Sequence, residues 1–157
     1  MPEHNPDETR EETPDERADR NWNELLQELR VSQTGVQLLA GFLVTLPFQS
    51  RFAELDSFQR GWYVGLLALA FSTVGVTLAP VAVHRRVFQD GVKPELVKVG
   101  HRLTSVALGL IGVLLGGITF LVVDMVYDRA AAAGAAVASV VVLAGLLVLL
   151  PSRVAPR

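Results

Sequence analysis

Residues 103–123 read LTSVALGLIGVLLGGITFLVV, an unbroken run without a single charged side chain. As an α-helix this run extends about 31 Å, which matches a hydrocarbon core of about 30 Å. A helix on the surface of a water-soluble protein keeps a polar face, and this stretch has none. The run therefore predicts a membrane-spanning helix. Working outward, the same reading applies to 31–48, 62–83 and 130–150, which are also free of charge. The fold class expected is all-α: a polytopic membrane protein with four transmembrane helices.

The charges that the spans lack are bunched between and before them. Residues 1–20 are acidic, contain proline and are almost free of apolar side chains, which predicts a disordered cytoplasmic tail. The helical domain is expected over 21–151, followed by a short tail at 152–157. In NWNE, Asn21 is placed to cap a helix, with Glu24 at the reciprocal position. Trp22, Leu25, Leu26 and Leu29 then share one face, which predicts an interfacial lead-in to the first span. No cleavable signal is expected, because MPEHNPDETREETPDERADR has neither a basic patch nor an apolar stretch. The chain has no cysteine, which excludes disulfides and thiolate metal sites.

Eleven of the fourteen Lys and Arg residues fall before the first span, in the loop 84–102 and in the C-terminal tail. The positive-inside rule then puts both termini in the cytoplasm and the connection between helices one and two outside. That connection, LPFQSRFAELDSFQR (46–60), carries its own structural signals. Pro47 cannot continue the first helix. Phe48, Phe52 and Leu55 recur at i, i+4 and i+7, which predicts a short helix lying in the outer interface. Asp56, with Gln59 three residues on, predicts a capped start for helix two, and Trp62 and Tyr63 are expected as interfacial anchors. Pro94 and Glu95 mark the start of helix three, and Asp128 is placed to cap helix four after a very tight turn.

Within the spans, small residues recur at helical spacing: Gly61, Gly65, Ala68, Ser72, Gly75 and Ala79, then Ser105, Gly109, Gly112, Gly116 and Thr119. Such rows let helix backbones approach closely and predict packing seams. Arg30, Gln33, Gln37, Gly41 and Thr45 form a polar stripe on the first helix. Gln33, Gln37 and Thr45 are its candidate intramembrane members, and the stripe is expected to face other helices, because amides unpaired in lipid are costly.

Candidate functional residues are sparse. Asp124 follows FLVV at the outer end of helix three. A carboxylate at the bilayer centre costs about 2.5–3.5 kcal/mol on insertion scales, and the interface lowers that figure. Asp124 is expected to pair with Arg51 or Arg60, which makes Gln49, Arg51, Glu54, Arg60 and Asp124 a candidate outer polar cluster. On the cytoplasmic side His84, Arg85, Arg86, His101 and Arg102 are candidate contacts for anionic lipid headgroups, at about 1 kcal/mol per charge. Two histidines there could touch a metal, but no third ligand stands nearby, so no metal and no cofactor is expected. GLIGVLLGG lies inside an apolar helix and follows no strand, which argues against nucleotide binding. No acid–base pair can be assembled on one side of the membrane, so an enzyme is not expected.

The run NWNELLQELRVSQTGVQLLAGFLVTLPFQSRFAELDSFQR, together with APVAVHR, HRL and VVD, resembles a family of small actinobacterial membrane proteins known only as a domain of unknown function. The resemblance covers roughly residues 21–127 and is densest in 21–60. It implies four membrane helices and a bacterial plasma membrane, and it implies no activity. The function expected is that of a non-enzymatic bundle that self-associates or serves as an accessory subunit, with membrane lipids as partners and no nucleic acid. The alternative is a small oligomeric transporter or channel. Four-helix multidrug exporters are of similar size but carry a glutamate in the first helix, where this chain has only Gln33 and Gln37.

Overall fold

The computed structural model describes residues 13–87 and 93–149, and every described element is helical. Four long helices account for nearly all of it: α1 (Pro14–Thr45), α2 (Ser57–Val87), α3 (Lys93–Val126) and α4 (Arg129–Ala144), which continues into one π-helical turn at Gly145–Leu149. All four are long and apolar enough to cross a membrane, as a multi-pass membrane protein requires.

Helix α1 begins earlier than Asn21. Thr13 is the cap: its hydroxyl accepts from the Glu16 backbone N–H, and the Glu16 carboxylate accepts from the Thr13 N–H at 2.8 Å. Thr13-Pro14-Asp15-Glu16 combines a capping box with proline in the first turn, a stronger start than NWNE, which has no proline. Residues 14–20 are therefore helical where a disordered tail was expected, and residues 1–12 lie outside the described residues.

The other end of α1 follows the prediction from Pro47. The helix stops at Thr45, two residues before the proline. The connector then forms two 3-10 turns, Leu46–Phe48 and Ser50–Glu54, separated by Gln49 in extended backbone. That break at Gln49 dissolves the expected Phe48/Phe52/Leu55 stripe, which requires continuous α-helical phase. Phe48 is exposed, Phe52 packs edge-on against Tyr63 at 5.1 Å between centroids, and Leu55 is buried. The start of α2 is as expected: Gln59 N–H donates to Asp56 Oδ1 at 2.8 Å, and Asp56 N–H donates to Gln59 Oε1 at 3.0 Å. Asp128 likewise caps α4, accepting from the Ala131 N–H at 2.8 Å. Within α2, Pro80 has no N–H to give, so the Val76 carbonyl goes without its helical donor.

Helix α3 is the centre of the molecule. It packs against α1, α2 and α4, while the α4 backbone approaches neither α1 nor α2 among the described residues. The core lies between the first three helices: Val36, Ala40 and Leu43 from α1, Tyr63, Leu66 and Ala70 from α2, and Leu114 and Leu121 from α3. Tyr63 thus points into the protein instead of anchoring at the membrane surface, and its hydroxyl donates to the Leu43 carbonyl at 3.0 Å. The lead-in face of α1 is also turned inward. Trp22, Leu25 and Leu29 are buried, and Trp22 and Leu25 lie against Gly100 of α3. Helix α3 begins well before its own span, so it offers the α1 lead-in a helix to pack on in place of the interface.

The outside of the bundle is apolar. Phe42 is 71% exposed, and Leu38, Phe71, Val113, Val137 and Val141 also face outward. Hydrocarbon solvates such a surface and water does not. Two sequence-level assignments of inner and outer faces are reversed in consequence. On α1, Gln37, Gly41 and Thr45 are exposed and Gln33 is half-buried, so the polar stripe faces away from the other helices. On α2, Gly61, Gly65, Ala68, Ser72 and Gly75 are exposed, and a Cβ at any of the three glycines would meet nothing within 4 Å. The α3 row is used at one point: a Cβ at Gly116 would strike Val140 of α4. The adjacent Gly117, outside the predicted row, serves the other neighbour, since a Cβ there would strike Leu66 of α2.

Candidate functional site

A set of polar side chains converges at the connector end of the bundle. Asp56 stands just before α2, Asp124 near the end of α3 and Arg129 at the first position of α4. The connection between α3 and α4 is so short that the Asp128 cap starts α4 at once. Arg129 is thereby turned back over the ends of α2 and α3. Its Nη2 lies 2.6 Å from Asp56 Oδ2 and its Nε lies 3.8 Å from Asp124 Oδ1. The guanidinium also sits over the Phe58 ring, 4.4 Å from the centroid, in a cation–π contact.

Asp124 is the most enclosed member, with its side chain only 4% exposed against 55% for Arg129. Gln59 supplies its closest hydrogen bond, Nε2 to Oδ2 at 2.9 Å. The orientation of the Gln59 amide follows from its two duties. Its oxygen accepts from the Asp56 N–H, so its nitrogen is left to face the carboxylate. The two carboxylates thus share one guanidinium, and both accept from Gln59: Asp56 from its backbone N–H and Asp124 from its side-chain amide. Asp56 is held below the usual carboxylate range, first by the Gln59 backbone N–H and then by the charge of Arg129, against some desolvation.

Beneath this cluster Phe58, Trp62 and Phe120 form an aromatic layer, with Trp62 and Phe120 4.8 Å apart and Phe58 stacked on Trp62 at 5.9 Å. The Trp62 indole N–H donates to the Gly117 carbonyl at 3.0 Å. Below the aromatics, α2 and α4 stand apart on the glycine floor of α3 and enclose a groove of about 760 Å³. A smaller cleft of about 310 Å³ lies between the connector and the end of α3.

The predicted outer cluster does not assemble as one unit. Asp124 pairs with Arg129 and Gln59, and neither Arg51 nor Arg60 reaches it. Arg60 instead donates to the Ala53 carbonyl at 3.1 Å and ties the connector to α2. Gln49 and Arg51 line the smaller cleft, and Glu54 is exposed with no ion pair among the described residues. Arg129, Gln59 and Asp56 were the members missed as a cluster. The available signal was the tight turn, which keeps Arg129 only five residues from Asp124 along the chain.

In the polar stripe, Thr45 satisfies itself on the Phe42 carbonyl at 2.8 Å, whereas the amides of Gln33 and Gln37 make no hydrogen bond among the described residues. At the opposite end, His101 and Arg102 are exposed on α3. His84, Arg85 and Arg86 belong to the last turns of α2, and their side chains lie outside the described residues. Among the described residues no group of three His, Asp or Glu could hold a metal ion.

Residues 11–151 match a family described as a family of unknown function, DUF6328. No curated protein and no solved structure matches the chain.

Proposed function

The chain belongs to the DUF6328 family, and from that premise we propose that it is a non-enzymatic, multi-pass protein of the bacterial plasma membrane with both termini cytoplasmic. Its bundle self-associates or serves as an accessory subunit. One observation carries the reading: the polar stripe of α1 is turned out of the bundle, with Gln37 exposed and Gln33 half-buried. An amide facing hydrocarbon lacks partners, and a second helix laid on this face supplies them, at about 0.6–2 kcal/mol per interhelical hydrogen bond. The outward small residues Ala68, Ser72 and Gly75 of α2 offer a second place of close backbone approach. Anionic headgroups at His101 and Arg102 complete the partners proposed.

Against an enzyme that pairs histidine with an acid stands the distance of His101 from the Asp56–Asp124 pair. His101 and Asp124 occupy opposite ends of α3, about 35 Å apart at 1.5 Å per residue. The absence of native cysteine makes the test direct. Gly41→Cys, beside Gln37, is expected to form a disulfide-linked dimer or a partner adduct on oxidation in membranes. A monomer in mild detergent, with no adduct captured in cells, would end this reading.

The second reading, a small oligomeric transporter or channel, draws on the enclosed Asp124 carboxylate. It requires ion or drug flux in proteoliposomes that Asp124→Asn abolishes. A sealed bilayer for every solute tried removes it.

A further inference from the structure

We propose that the groove between α2 and α4 is a lipid site, which takes one acyl tail of a phospholipid whose headgroup is zwitterionic and carries an amine. Its dimensions favour a tail over a helix. The groove follows α2 from Ser57 to Leu69, a rise of about 18 Å. That is little more than one leaflet of a hydrocarbon core about 30 Å thick. A transmembrane helix from a second copy would continue across both leaflets, but Leu69, Val113 and Val140 mark the groove's inner limit. The volume itself falls within the range of about 300–1,000 Å³ typical of small-ligand sites.

The chemistry of the walls is that of an apolar chain with one polar end. Glycine, alanine and larger apolar side chains line the walls, and the Trp62 N–H is already spent on Gly117. The remaining polar lining group, Ser57, lies at the connector end. There the groove meets Arg129 and Asp56, both about half-exposed. Charge balance selects the headgroup. One guanidinium already faces two carboxylates, so a purely anionic lipid would add a third negative charge. A zwitterionic lipid brings its phosphate to the Arg129 donors still open to solvent and its ammonium to Asp56.

The test is native mass spectrometry of the full chain released from vesicles of equal phosphatidylethanolamine and phosphatidylglycerol. One phosphatidylethanolamine is expected to be retained per chain. Gly61→Leu with Gly65→Leu fills the groove without striking protein at the Cβ, and it is expected to cut retention about tenfold, as overpacking of about 1.4 kcal/mol would. Gly75→Leu, equally open but outside the groove, is expected to leave retention unchanged while disturbing self-association if α2 mediates it. Near-ultraviolet circular dichroism of each variant, which reports aromatic packing, checks that the bundle is intact. Equal retention of phosphatidylglycerol overturns the headgroup assignment. Retention untouched by the groove-filling pair overturns the site, and a loss of dimer without a loss of lipid assigns the groove to a second copy instead.

Discussion

The two ends of this bundle hold their helices together by different means. At the connector end, α2, α3 and α4 are joined by polar side chains: Asp56, Gln59, Asp124 and Arg129 bridge three helix ends within hydrogen-bond or ion-pair reach. At the opposite end, α1 and α3 meet through apolar packing, with Trp22 and Leu25 pressed against Gly100 and the polar side chains of His101 and Arg102 turned outward. The position of the helix ends explains the contrast. Helices α2 and α4 begin where α3 ends, so their unpaired N–H groups and caps lie in one place where polar groups can satisfy each other. Where α1 and α3 run on past their spans, they behave as a soluble helix pair and bury an apolar stripe.

The largest way to break this comparison lies at the apolar end. Trp22→Ala should destabilise the bundle by about 3–5 kcal/mol, the usual result of removing a buried tryptophan. Thermal unfolding in detergent measures it, and a loss under 1 kcal/mol would mean that the α1 lead-in is not packed as described. At the polar end, Gln59→Leu removes the closest donor to an enclosed carboxylate and should destabilise by about 1–3 kcal/mol. A double-mutant cycle with Asp124→Asn should return a coupling of about 0.5–3 kcal/mol. Additivity of the two changes would show the hydrogen bond to be idle. Asp128→Ala deletes only the α4 cap and should weaken the fold by about 1 kcal/mol, seen as faster amide exchange in the first turn of α4 with α1 unaffected.

The smallest effect is with pH. Asp56 has its folded pKa lowered, so the tie it makes to Arg129 is complete above the ordinary carboxylate pKa. It is lost as pH falls through the lowered folded value. Spin labels on α2 and α4 should therefore report a widening only in acid below the usual carboxylate range. Asp56→Asn should abolish that acid transition, and the apolar end should show none in the same range.

Much of the architecture was legible in the sequence, because the bilayer imposes a length and local chemistry marks the ends. The four uncharged runs, the break at Pro47, the Asp56–Gln59 box and the Asp128 cap all rest on interactions within a few residues. The facing of the helices was not legible. In water an apolar stripe identifies the inside, but in lipid both the core and the surroundings are apolar, so Gln33, Gln37 and the glycines of α2 gave no direction. Whether Gly65 lines a seam or an open groove is decided by where α4 stands, and that depends on Gly116, Ala136 and Val140 of the α3–α4 pair. The Asp124 partner was misread for a related reason. Arg51 and Arg60 share its side of the membrane, but the path of the connector draws Arg60 to Ala53 and leaves Arg51 at the other cleft.

The peripheral position of α4 bears on the order in which the molecule is made. A chain leaves the ribosome from its N-terminus, and the core between α1, α2 and α3 uses no residue of the fourth helix. Those three helices can close on one another while α4 is still being synthesised. Until Arg129 emerges, Asp56 and Asp124 stand together without their counter-charge. The fourth helix therefore brings the one counter-charge that the two acids of the earlier segments share.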